Sequence, residues 1–123
     1  MSNSRVRLGR LGESVAVQEL TRRGHRVVSR NWRCRIGEVD IVACYGERWT
    51  FFEVRTRRGR DFGVPEESLT GTKIERMVDV ACMYLAEHGE NVHEVDWGIG
   101  LVAVEMDRAG RLLRVDVYEN ILP

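Results

Sequence analysis

Hydrophobic and polar positions alternate along this chain in two periods, and the switches between them delimit its elements. Over residues 5–23 the apolar positions recur at helical spacing. Ala16, Val17 and Leu20 fall in one narrow arc, and Gly24 follows where a left-handed cap ends a helix. Residues 25–30, around Val27 and Val28, predict a short strand, and residues 31–35 an arginine-rich connection carrying Trp32. Period two then takes over. Residues 37–44 and 49–57 predict an antiparallel hairpin turning at Tyr45-Gly46-Glu47-Arg48. A polar loop, 58–71, leads to a second helix near Thr72, where Thr72-Lys73-Ile74-Glu75 has capping-box spacing. Its apolar stripe reads Ile74, Met77, Val78, Ala81, Cys82 and Leu85, and Gly89 ends it. Residues 95–104 and 112–118 predict two more strands. The order helix, strand, strand, strand, helix, strand, strand describes one α/β domain over residues 1–123, a mixed sheet covered by two helices.

The hairpin poses a chemical question. Counting outward from its turn sets Asp40 beside Glu53, with Cβ atoms about 5 Å apart. Two like charges there repel unless something positive lies between them. Glu13 adds a third acid, because it shares the apolar arc of the first helix, where an unpaired carboxylate is expensive to bury. Gly9 and Gly12 beside it permit another backbone or a ligand to come close. Two neutralisers are available. Arg55 projects from the same strand face as Glu53 and can form an ion pair with either acid. A hard divalent cation, Mg²⁺ or Mn²⁺, takes oxygen ligands of this kind and can activate water against a phosphodiester.

Charge distribution sharpens the choice of partner. The net charge is zero, but residues 1–60 carry 14 Lys and Arg against 6 Asp and Glu, a net +8, and the remainder carries −8. Such asymmetry suits a polyanion, and it equally suits two halves that neutralise each other in the fold. Lys73 is the only lysine. Cys34, Cys44 and Cys82 have neither disulfide nor zinc-knuckle spacing, and three reduced cysteines are expected. No apolar run is long enough to span a bilayer and no secretory signal is visible, so a cytoplasmic protein without membrane contact is expected.

Longer motifs carry a resemblance. Gly9-x-x-Gly12-Glu13-x-x-Ala16-x-x-x-Leu20-x-x-x-Gly24, Arg30-Asn31-Trp32-Arg33, Gly37-Glu38-Val39-Asp40-Ile41-Val42-Ala43, Phe52-Glu53-Val54-Arg55-Thr56-Arg57 and the Thr72-Lys73 helix start run through most of the chain. Together they resemble the bacterial YraN-like family of the PD-(D/E)xK nuclease-like superfamily, which is similar to archaeal Holliday junction resolvases. The resemblance implies a restriction-endonuclease-like fold, with Asp40 and Glu53 as ligands of Mg²⁺ or Mn²⁺ and the Val54 carbonyl as a third. It implies that Glu13 reaches the metal through water, and that the partner is nucleic acid, DNA in the first instance. Related resolvases are symmetric dimers, so a homodimer is a further expectation, although no stretch of this sequence marks an interface. Arg33, Arg35, Arg57, Arg58 and Lys73 are the candidate nucleic-acid contacts.

Arg55 departs from the family pattern, which has lysine there. Arginine stays protonated and is no base, but it can bind phosphate or position water. Lys73 is a candidate replacement, near an anion-friendly helix start. The residues therefore admit three readings: a metal-dependent endonuclease for branched or single-stranded nucleic acid, a binding protein with little catalysis, or an interaction module in which acids and arginines form only a structural network.

Overall fold

A computed structural model describes residues 4–60 and 63–122. Its elements are α1 (Ser4–Arg22), β1 (Arg26–Cys34), β2 (Gly37–Tyr45), β3 (Arg48–Arg58), a 3₁₀ turn (Pro65–Ser68), α2 (Gly71–Glu87), β4 (Trp97–Met106) and β5 (Leu112–Tyr118). The expected order of helices and strands holds, and the five strands form one mixed sheet in the order β1-β2-β3-β4-β5. All neighbours are antiparallel except β3 and β4, which are parallel and joined through α2, as a parallel pair requires a crossover.

Each face of the sheet has its own helix. Ala16 and Leu20 of α1 pack with Ile41, Ala43, Phe52, Val102 and Val104. Met77, Val80, Ala81, Tyr84 and Leu85 of α2 pack with Val39, Val42, Phe51 and Ile99 on the other side. Covered twice, β4 reads as an almost unbroken apolar run, buried from Gly98 to Met106. Gly12 lets α1 settle on β3: a Cβ at that position would overlap the Thr56 side chain. No helix among the described residues is long and apolar enough to cross a membrane.

Three expectations need correction. Residues 31–34 belong to β1, because the pairing with β2 continues through Trp32↔Val39 to Cys34↔Gly37. Trp32 is half-buried there and meets Tyr84 edge-on, at 5.1 Å between ring centroids. The second helix starts at Gly71, capped by Thr70, whose hydroxyl accepts a hydrogen bond from the Lys73 amide at 3.3 Å. Its buried stripe lies slightly round the helix from the expected one: Val80 and Tyr84 are buried, whereas Ile74, Val78 and Cys82 are half-covered. Tyr84 can sit at the centre of a core because its hydroxyl is paired with Ser29 at 2.7 Å. Tyr84→Phe leaves that Ser29 hydroxyl without its partner and is expected to cost about 1 kcal/mol, read from urea denaturation.

The 58–71 loop is tied down where it can be described; Asp61 and Phe62 lie outside the described residues. Glu66 accepts hydrogen bonds from Arg114 at 2.8 and 2.9 Å and from the Tyr118 hydroxyl at 2.8 Å. Arg60 and Arg114 both reach Glu105 on β4. These guanidinium contacts hold Glu66 and Glu105 below the usual carboxylate range.

Candidate metal and phosphate cleft

The site is built by a break in the sheet. β2 and β3 pair from Tyr45↔Arg48 up to Ile41↔Phe52, and there the backbone ladder stops. The next position on each strand is Asp40 and Glu53, past the last paired residues, and both acids line one cleft with the charge of Asp40 acting on Glu53. One step on, the Val54 amide donates to the Asp40 carboxylate, Oδ2, at 2.8 Å instead of to a backbone carbonyl. A carboxylate at the end of the ladder thus satisfies a part-buried N–H that no β2 carbonyl answers.

The alternation of β2 changes phase at the same point. Val39 belongs to the core under α2, while Ile41 and Ala43 belong to the core under α1. Two residues apart on a regular strand, Val39 and Ile41 would share a face. β1 turns with it: Asn31 lies opposite Asp40 between the paired Arg30↔Ile41 and Trp32↔Val39, and its φ is +52°. It is the only non-glycine residue with positive φ among those described. Its carboxamide Nδ2 donates to Glu13 Oε2 at 3.1 Å, linking β1 to α1.

These elements enclose an open cleft of about 670 Å³. Glu13, Asp40 and Glu53 line it together with Arg55, Arg57 and Arg58. Gly9 also lines it, and open space surrounds the position a Cβ would take. Among the described residues no three His, Cys, Asp or Glu side chains are set closely enough to hold a metal directly. The acids therefore form a close pair, Asp40 and Glu53, with Glu13 at a remove.

Electrostatics show what the pair lacks. Burial raises Asp40 to about 6, opposed by the Val54 amide and reinforced by the charges of Glu13 and Glu38. Burial, followed by repulsion from Asp40, raises Glu53 to about 7. Arg55 pulls both down, and its Nη2 lies 3.1 Å from Glu53 Oε1. One guanidinium is insufficient to restore either acid to its ordinary range. The donor set suits a hard divalent ion: two carboxylates, each with one oxygen beyond those used by Val54 and Arg55, and only oxygen chemistry.

The basic residues divide into two groups. Arg57 and Arg58 lie in the cleft, and the buried Nε atoms of Arg55 and Arg57 have no hydrogen-bond partner among the described residues. Arg33 and Arg35 lie beside the β1–β2 turn and do not line the cleft, and Arg33 is paired with Glu38 at 2.9 Å. Lys73 is outside the lining as well, with its ammonium on the Ser68 carbonyl at 3.1 Å, although its charge is felt by Glu53. The residue patterns do not single out Arg5 and Leu8, which line the cleft from the first turns of α1, or Asn31 as a member of the site. A polar residue interrupting a strand at the point where its apolar phase slips is the available sign of Asn31.

The family model of the uncharacterised protein family UPF0102 matches residues 12–118. Among relatives, a UPF0102 protein of Pelotomaculum thermopropionicum is 40% identical over 120 residues, 98% of each chain. One from Moorella thermoacetica is 41% identical over 120 residues, again 98% of each. A third, from Roseiflexus castenholzii, is 44% identical over 106 residues, 86% of this chain and 85% of its own. The family model covers α1 from Gly12 onwards, the kinked strands, the acid pair and α2, and the chain belongs to UPF0102, the YraN family.

Proposed function

We propose that this protein binds nucleic acid through the cleft, loads Mg²⁺ or Mn²⁺ on Asp40 and Glu53, and hydrolyses phosphodiester bonds there at a rate limited by Arg55. The observation that carries the reading is the pairing of opposites within one cavity: two half-buried acids short of positive charge, and two buried guanidinium Nε atoms, of Arg55 and Arg57, without a hydrogen-bond partner among the described residues. A metal-bound phosphodiester supplies both deficits.

When bound, a divalent ion would supply an activated water and positive charge against the phosphate. Asp40 and Glu53 would hold that ion, and Arg57 and Arg58 would bind the strand's phosphates. Glu13, which lines the same cleft, would order a water against the pair. Arg55 holds Glu53 Oε1 and thereby competes with the cation for the same carboxylate. Its permanent charge binds phosphate but removes no proton from water.

Junction, flap and single-stranded substrates incubated with Mn²⁺ test the reading. Weak cleavage is expected from the wild type and none from Glu53→Gln. Arg55→Lys is expected to cleave several-fold faster, because an ammonium releases a carboxylate more readily than a guanidinium fork does. Cleavage equal in wild type and Glu53→Gln would mean that the acids do not hold the metal. Tight binding with no cleavage in any variant would favour the second reading, a nuclease fold kept for binding alone, to which the Arg55–Glu53 ion pair already lends weight.

A further inference from the structure

We propose that Asn31 is a positioning residue of the cleft, turning Asp40 out of the β1–β2 ladder through its left-handed backbone and holding Glu13 towards the acid pair through its carboxamide. This role rests on the metal-binding reading of Asp40 and Glu53. It falls to a residue that touches neither the cation nor the substrate.

Three observations converge on this side chain. Its φ of +52° is a conformation that side chains other than Asn, Asp and Gly seldom adopt, and it falls within a strand rather than at a turn. Such a backbone commonly marks a functional constraint. Both strands change face here: Ser29 and Trp32 of β1 both approach Tyr84 under α2, although three residues apart, and Val39 and Ile41 of β2 separate to opposite cores. Without that half-turn, Asp40 would continue the alternation of a regular strand and would not lie across the gap on the Val54 amide. The third observation is the 3.1 Å hydrogen bond from Nδ2 to Glu13 Oε2. Glu13 is carried by a helix on one face of the sheet, and a bond to β1 orients its carboxylate relative to β2. One residue thereby sets the geometry of two acids from different elements.

The two functions separate by substitution. Glycine accepts positive φ but has no carboxamide, so Asn31→Gly preserves the kink and releases Glu13. Alanine loses both. Mn²⁺ titration by calorimetry on the full chain, alongside melting in EDTA, reads them independently. Asn31→Gly is expected to melt with the wild type and to bind Mn²⁺ about tenfold more weakly, as loss of an outer hydrogen-bond partner of a metal site commonly does. Asn31→Ala is expected to lower both the melting temperature and the affinity. Glu13→Ala should weaken Mn²⁺ binding to a similar degree, and Asn31→Gly added to it should cause no further loss, because its effect travels through Glu13.

Wild-type affinity in Asn31→Gly, or an equal drop with and without Glu13, would overturn the carboxamide's role. Failure of Asn31→Gly to fold would overturn the backbone role, since glycine takes this conformation without strain. A wild type that binds no Mn²⁺ would instead remove the metal reading on which the inference stands.

Discussion

Glu53→Gln is expected to make the metal-free protein more stable at pH 8 by on the order of 2–3 kcal/mol, and to leave it nearly unchanged at pH 4. Asp40 and Glu53 have folded-state pKa values of about 6 and about 7, raised from ordinary values of 3.8 and 4.5. A carboxylic acid with a raised pKa holds its proton more tightly when folded. Its stabilising effect is complete below the unfolded value and is lost as pH rises through the folded one. For Glu53 that window runs from about pH 4.5 to 7. A tenfold change in proton affinity corresponds to about 1.4 kcal/mol, so the rise to about 7 sets an upper bound of roughly 3.5 kcal/mol, which the 17% exposure of the side chain and the loss of its Arg55 contact bring down to the stated range. Glutamine has the shape of the protonated acid and no charge to lose, so the variant escapes the penalty.

Urea denaturation in EDTA at both pH values measures the difference. Mn²⁺ at about 100 times its dissociation constant should then add about 2.7 kcal/mol to the wild type at pH 8 and little to the variant. A Glu53→Gln protein less stable than wild type at pH 8, and indifferent to Mn²⁺, would mean that the Arg55 ion pair outweighs the repulsion. The acids would then be a structural network.

Local periodicity locates the fold well because the sheet is covered on both faces by helices with clear stripes. It fails where a tertiary partner overrides local pattern. An arginine-rich segment has no apolar alternation of its own, so periodicity ends β1 before Asn31; β2 supplies the hydrogen bonds that carry the strand on. Tyr84 escapes the helical stripe because its burial depends on Ser29, 55 residues away. The acid pair is legible because a two-residue period and a short turn together determine which residues face each other. What lies hidden is the phase slip at Asp40. It is a property of two strands jointly, and its one trace within a single strand is the polar Asn31 interrupting β1. Charge picks out Arg33, Arg35 and Lys73, but charge alone does not say which guanidinium faces a cleft and which is answered by Glu38.

That division among the basic residues has a measurable consequence. Binding to a DNA duplex releases one counterion per neutralised phosphate, with a slope of log affinity against log salt of about −0.9 per contact. Arg55 is held by Glu53, so the two remaining cleft arginines, Arg57 and Arg58, give a slope of about −1.8, a loss of about 12-fold between roughly 50 and 200 mM salt. Fluorescence anisotropy with a labelled duplex and with EDTA present isolates this contribution from the metal. Arg57→Ala is expected to flatten the slope by about 1, because its guanidinium has no carboxylate partner and its buried Nε is unsatisfied among the described residues. Arg33→Ala is expected to leave the slope unchanged, since Glu38 already neutralises that side chain outside the cleft. A salt-independent affinity would remove the phosphate reading of the cleft. A slope flattened by Arg33→Ala and untouched by Arg57→Ala would move the nucleic acid off the cleft and onto the β1–β2 turn, leaving the half-buried acids and the cleft guanidinium donors without the ligand they are proposed to share.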